Sequence, residues 1–147
     1  MKKQIFVVGL DSFNLSILQS MPSAEEFSFH PLLTYGDFRH RDDFPVRRFL
    51  NQARQRVDES GITPDAIVGY WDFPMTSLVP ILCRDFGLKA PAVESVFKCE
   101  HKYWSRTEQQ NAVPECVPSF QRVDPFAEDC MDSIRLKFPF WIKPVKS

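Results

Sequence analysis

Between residues 4 and 87 the chain alternates three times between a short apolar run and a longer segment whose apolar residues recur at helical spacing. Residues 4–8, QIFVV, are β-branched and apolar between a lysine pair and Gly9. They read as a strand buried on both faces, as parallel sheets require. Asp11 or Ser12 can cap a short helix carrying Phe13, Leu15, Ile17 and Leu18. Residues 27–33 read as a second strand, and residues 34–41 as a polar, turn-rich connection. The clearest helix spans 43–60, with Val46, Phe49, Leu50, Ala53 and Val57 on one face. Pro45 suits its first turn and Gly61 its C′ position. Residues 66–70 predict a third buried strand. Pro74 then opens a helix with Leu78, Val79, Ile81, Leu82 and Phe86 as its apolar face, a kink at Pro80 and a stop at Gly87. The order β-α-β-α-β-α implies a parallel sheet with right-handed crossovers. The fold class predicted is α/β, a Rossmann-like three-layer parallel sheet.

The pattern changes past residue 87. Ala90-Pro91-Ala92 is a short extended link, 95–110 is a polar helical stretch, and Pro114 and Pro118 follow it. Residues 120–123 and 138–145 read as strands, separated by a helix or loop over 124–135. This places a boundary near 88–95 and divides the chain into 1–92 and 93–147, the second part an incomplete α+β segment. At 147 residues the chain holds one domain, or one domain and the start of another. It carries 14 Phe and 12 Pro but only 5 Gly, so few glycine loops are available to cradle phosphates.

Several function classes are disfavoured. The net charge is −1, which argues against nucleic-acid binding through a broad basic face. The arginines at 47, 48, 54 and 56 read as the solvated side of their helix, bracketed by Asp42, Asp43, Asp58 and Glu59. No apolar run approaches a membrane span, and residues 5–10 are too short for a signal peptide. Cys83, Cys99, Cys116 and Cys130 form no CxxC pair, and His30, His40 and His101 do not cluster with them. Reduced thiols in a cytoplasmic protein follow, with no zinc site.

In an open parallel sheet, ligands bind beyond the carboxyl ends of the strands. Three loops leave such ends: 9–14, 34–37 and 70–73. The first is not GxGxxG, so the dinucleotide fingerprint is absent. Asp11 is either a helix cap or a substrate contact. Asp72 follows a buried strand and precedes a proline-led helix, and the same two readings apply; Tyr70 stands beside it at the crevice mouth. Lys143 interrupts the apolar run 138–145. Its ammonium must reach water, a carboxylate or an anion, because unpaired burial is costly. Lys102 and Arg106, four residues apart, share one helix face and could reach a single polyanion.

The order of these features resembles the ATP-grasp enzymes, the superfamily of biotin carboxylase, carbamoyl-phosphate synthetase and the D-alanine ligases. The residues carrying the likeness are GLKAPAVES at 87–95, HKYWSR at 101–106 and FPFWIKPVKS at 138–147. The resemblance implies a pre-ATP-grasp domain over 1–92 and the beginning of the nucleotide-binding lobe over 93–147. Lys143 looks like the lysine of the small lobe that contacts ATP phosphates, and Lys102 like the earlier nucleotide lysine. The implied activity is a ligase that activates a carboxylate with ATP and Mg²⁺ as an acyl-phosphate, which an amine or similar nucleophile then attacks. Asp11, Tyr70 and Asp72 would face the non-nucleotide substrate.

The family's Gly-rich loop, adenine-binding hinge and late Mg²⁺ ligands have no counterpart in these residues. The expectation is therefore a truncated lobe and a 147-residue chain that does not catalyse ligation alone. Implied partners are ATP and a small carboxylate substrate, with a homodimer as a candidate assembly, and neither nucleic acid nor membrane. Two other classes fit parts of the pattern. A receiver-like signalling domain would use Asp72 as phospho-acceptor, Asp11 on Mg²⁺ and Lys143 on the phosphoryl group. Yet Lys143 lies farther past Asp72 than two βα units of ordinary size would place it. A Rossmann-like interaction module would bind no such ligand.

Overall fold

The computed structural model describes residues 1–38 and 45–145. Two compact units divide the chain, Met1–Val93 and Glu94–Ser147.

The first unit is α/β. Strand β1, Lys3–Val8, leads into helix α1, Ser12–Gln19, and then through a 3-10 turn into strand β2, Phe27–Leu32. A single helical turn, α2 (Tyr35–Phe38), follows. Helix α3 (Val46–Ser60), strand β3 (Ala66–Gly69) and helix α4 (Met75–Asp85) complete the unit. The strands form one parallel sheet in the order β2-β1-β3. Register fixes which side chains share a face: Phe6 stands opposite His30 and Ile67, and Val8 opposite Leu32 and Gly69. Because side chains alternate along a strand, Phe6, Val8, Leu32 and Ile67 point to the same side. There they join Phe49, Leu50, Ala53 and Val57 of α3 and Met75, Leu78, Leu82 and Cys83 of α4 in one core. Four of the five residues predicted for the apolar face of α3 are the ones it buries, and Val46, at its first turn, is exposed.

Local chemistry explains the ends. Gly61 takes the left-handed conformation (φ 64°) that stops α3. Pro45 sits at the N-cap of α3, one place before the first turn predicted for it, and receives the first helical N–H bonds on its carbonyl. Asp42 and Asp43, expected to precede this helix, lie outside the described residues, as does His40. Gly69 has a spatial reason: a Cβ there would come within 3.2 Å of Val79 Cγ2 and 3.4 Å of Met75 Cβ. The missing side chain lets α4 lie close on β3. Pro80 is inside α4 and buried.

Two arginines expected on a purely solvated side of α3 have partners. Arg54 donates from Nε and Nη2 to Asp85 Oδ2, joining α3 to α4. Arg56 pairs with Asp37 at 3.0 Å, joining α3 to α2.

The second unit differs from the sequence reading in two ways. The helical stretch expected over 95–110 is two helices, α5 (Val93–Glu100) and α6 (Lys102–Ala112), broken at His101. The strands expected over 120–123 and 138–145 do not form; both segments are irregular, and turns occupy the region between them. Apolar composition can suggest a strand, but a strand exists only where a neighbour accepts its backbone bonds. Pro139 and Pro144 remove two donors from the second segment. Near the first, the Gln121 side-chain amide replaces a ladder, donating to Ser133 O (2.5 Å) and accepting from Arg135 N–H (2.8 Å). None of the described residues from 94 to 145 is buried.

Candidate functional site at the carboxyl end of the sheet

Strand β1 is central. The chain leaves it for β2 on one side and later reaches β3 on the other. The carboxyl ends of β1 and β3 therefore lie side by side, the position at which an open parallel sheet binds its ligands.

Gly9 follows the last residue of β1 with φ 81°. Its N–H donates to Leu33 O at 2.7 Å, tying the end of β1 to the end of β2. Leu33 is itself a fully buried non-glycine residue at φ 65°, held there against its intrinsic preference. A Cβ on Gly9 would meet Met75 Cε at 3.2 Å and Trp71 Cδ1 at 3.3 Å. Glycine thus allows the loop after β3 to close over the end of β1.

A polar network crosses this closure. The Tyr70 hydroxyl donates to Gly9 O at 2.9 Å, accepts from Asn14 Nδ2 at 3.1 Å and lies 3.3 Å from Asp11 Oδ2. Asp11 is the N-cap of α1: its Oδ1 accepts from Asn14 N–H at 2.7 Å, and Asn14 Nδ2 reaches both carboxylate oxygens at 3.0 Å. The Asn14 backbone N–H, with smaller help from the side chains of Asn14 and Tyr70, holds the Asp11 carboxyl below its ordinary pKa. Around the network, Phe13, Tyr70, Trp71 and Phe73 present aromatic surface to solvent.

Two of the three predicted substrate residues, Asp11 and Tyr70, therefore meet in space. Asp72 stands apart from that network: its Oδ1 accepts from the neighbouring Phe73 N–H at 2.7 Å, and its carbonyl accepts from Met75 N–H at 3.0 Å. This is the turn-forming role. Asn14, which links Asp11 to Tyr70, escaped the sequence reading. Its spacing from Asp11 matches the N-cap and N3 positions of a capping pair, and that signal could have found it. Hydrogen-bonding groups and exposed aromatic side chains thus meet at this end of the sheet. Most acceptor positions of Asp11 serve its own helix, so the network is suited to binding and orientation.

Lys102 and Lys143 belong to the second unit. Lys102 is the first residue of α6, and its backbone N–H donates to Val145 O at 2.7 Å. That bond brings the segment carrying Lys143 to the amino-terminal end of α6. Lys143 is exposed on irregular chain, not on the strand expected for it. Arg106 bonds Gln109 one turn farther along the helix.

Elsewhere, burial pushes the Cys83 thiol pKa up, and the thiol donates to Ile67 O. Cys99 and Cys116 are exposed and Cys130 is partly so. Among the described residues no group of three His, Cys, Asp or Glu side chains is arranged to hold a metal ion. A groove of about 480 Å³, lined by Met1, Lys2, Gln4, Ile62, Pro64 and Asp65, lies at the opposite, amino-terminal end of the strands. Another, of about 330 Å³, lies beside Pro80, Arg84 and the link 90–93. Neither groove contains a predicted site residue. No helix among the described residues is long and apolar enough to cross a membrane. No family model matches the chain, and no curated protein and no solved structure matches it.

Proposed function

We propose that the chain is the N-terminal region of an ATP-grasp ligase. Residues 1–92 would be its Rossmann-like pre-ATP-grasp domain, with helices on both faces of the sheet, and 93–147 the beginning of its nucleotide-binding lobe. The observation that carries the reading is the 2.7 Å bond from Lys102 N–H to Val145 O. It draws together two segments, far apart in sequence, on which the resemblance puts the two phosphate-contacting lysines. A compact ammonium suits a phosphate as a point charge, and a second one on the segment held at that helix end would suit a phosphate chain. Mg²⁺ finds no matching set of ligands among the described residues, so no step through the metal is derived. The network of Asp11, Asn14 and Tyr70, with Asp72 in the loop that follows Tyr70, would receive the carboxylate substrate.

Titration with a fluorescent ATP analogue tests this. The chain should bind it weakly, and Lys143→Ala and Lys102→Ala should each weaken binding about tenfold or more, the worth of a charge-assisted hydrogen bond. ADP release at enzyme-like turnover should be absent. Absence of nucleotide binding by the unmodified chain, or unchanged binding in both variants, overturns the assignment. Mg²⁺-dependent binding of an acyl-phosphate mimic that disappears in Asp72→Asn would favour a receiver-like domain instead.

A further inference from the structure

At the carboxyl ends of β1 and β3 hydrogen-bond acceptors outnumber donors. The Asp11 carboxylate and the Tyr70 hydroxyl together offer roughly six acceptor sites. Asn14 supplies most of the hydrogens that reach them. Its backbone N–H goes to Asp11 Oδ1 at 2.7 Å, and its side-chain amide is shared among Oδ1 (3.0 Å), Oδ2 (3.0 Å) and the Tyr70 oxygen (3.1 Å). The Phe13 N–H adds a weaker contribution to the carboxylate. The single hydroxyl hydrogen of Tyr70 goes to Gly9 O at 2.9 Å, the shorter of its two contacts. Asp11 Oδ2 and the Tyr70 oxygen then face each other at 3.3 Å as two acceptors. Among the described residues, Asn14 Nδ2 is the side-chain donor that reaches each of them, so each keeps an open acceptor site.

Charge points the same way. Residues 9–22, which follow β1, and 70–83, which follow β3, contain Asp11 and Asp72 but no lysine, arginine or histidine. The hydrogen bonds from Asn14 hold the Asp11 carboxyl below its ordinary pKa, so it is ionised at neutral pH. Asp37, beyond β2, is paired with Arg56 and is not an equivalent site. An anion at Asp11 would meet a like charge with no cation from these two segments to offset it. Aromatic surface adjoins the carboxylate. Phe13, in the first turn of α1, is 70% exposed, and the exposed rings of Tyr70 and Trp71 lie 5.8 Å apart. The Trp71 indole runs along Gly9, where a Cβ would come within 3.3 Å of Cδ1. Such ring faces attract cations.

We propose that Asp11 Oδ2 and the Tyr70 hydroxyl bind a primary ammonium group of a small molecule whose apolar part lies on the neighbouring aromatic surface. An ammonium carries three donors and no acceptor, the complement of this cluster. It can donate to both oxygens at once, and its charge pairs with the carboxylate. A neutral hydroxyl could donate to one of them without the charge, and a carboxylate would be repelled. Asn14 is a positioning residue: by spanning both oxygens it fixes their separation. Calling the ligand a substrate rests on the ligase reading, in which that molecule would carry an ammonium besides its carboxylate. The ammonium site does not rest on it, and its test contains no nucleotide, so either can fail alone.

Proton–nitrogen NMR on the whole chain tests this with three probes of similar shape: phenethylammonium, phenethyl alcohol and phenylpropanoate. Phenethylammonium should move the Asn14 side-chain amide and Trp71 indole signals saturably, with a Kd on the order of millimolar. The alcohol should bind about fivefold more weakly or worse, and phenylpropanoate should leave these signals in place. Asp11→Asn removes the charge but keeps a good helix cap, so the fold is retained while phenethylammonium binding falls about fivefold or more. Tyr70→Phe keeps the ring, removes one acceptor and should weaken binding about threefold. Equal binding of the ammonium and the alcohol overturns the proposal, as does phenylpropanoate binding at the same signals. So does an Asp11→Asn chain that binds phenethylammonium as tightly as the parent, or a parent whose Asn14 and Trp71 signals phenethylammonium does not move.

Discussion

At the scale of single residues, three aspartates tie the first unit together, and each has its carboxyl pKa held below the ordinary aspartate value. Asp11 owes this first to the Asn14 backbone N–H, and Asp65 first to Gln4 N–H and then to Lys3. At Asp37 partial burial pulls upward, but hydrogen bonds from Arg56 and Thr34 outweigh it. A carboxyl whose folded pKa lies below its unfolded one contributes stability that is complete above the unfolded value and lost as pH falls through the folded value. The urea midpoint should therefore be nearly level from pH 7 to about 5 and fall below about pH 4. Asp37→Asn should remove part of that fall, because Asn does not titrate. A variant as acid-sensitive as the parent would show that the Arg56–Asp37 pair contributes nothing to it.

The elements of the first unit meet through small spaces. Strand β3 and helix α4 touch where Gly69 has no side chain, and the nearest atoms to a Cβ there are Val79 Cγ2 and Met75 Cβ. Helix α4 cannot simply withdraw, because Leu78 and Leu82 are buried in the shared core and the Cys83 thiol bonds Ile67 O of β3. Gly69→Ala should therefore destabilise by about 1–3 kcal/mol, the usual cost of overpacking, despite the better strand propensity of alanine. Thermal or urea unfolding measures it, and an unchanged or raised midpoint would mean that β3 and α4 separate more easily than their packing suggests.

Over the whole molecule, burial is unevenly divided. The core residues all lie between Phe6 and Cys83, whereas no described residue from 94 to 145 is buried. Ordering each residue costs roughly 1–2 kcal/mol of backbone entropy, and apolar burial is the main offset. Opening within 94–145 should therefore need less free energy than opening the first unit. Trypsin at low dose should cut at lysines and arginines beyond Lys98 first and leave a resistant product close to 1–93 in extent, as mass spectrometry would read. First cuts within α3, at Arg47 or Arg54, would contradict that ordering.

What could be read from the sequence was what neighbouring residues decide among themselves. The spacing of Phe49, Leu50, Ala53 and Val57 made α3 and named its buried face, although Val46, read with them, is exposed. Short apolar runs made β1, β2 and β3, β-branched in β1 and β3 and rich in phenylalanine in β2, and Gly9 and Gly61 marked where elements stop. Asp11 could be named as a cap or a contact because both readings follow from its place before a helix. Its meeting with Tyr70 could not be read, because it depends on β3 pairing beside β1, a contact across about sixty residues (the Tyr70–Asp11 separation). Pairing likewise decided against strands at 120–123 and 138–145. Their composition suited a sheet, but no neighbouring strand takes up their backbone groups. The break at His101 was invisible for a related reason. Helix propensity is a sum over neighbours, whereas the bend is held by a ring on Trp104 N–H, by the carbonyl of Val145 and by Lys98 bridging to Glu108. Sequence alone determined the local periods and stops; the tertiary structure decided every feature whose partner lies far along the chain, because only folding brings such groups within hydrogen-bonding distance.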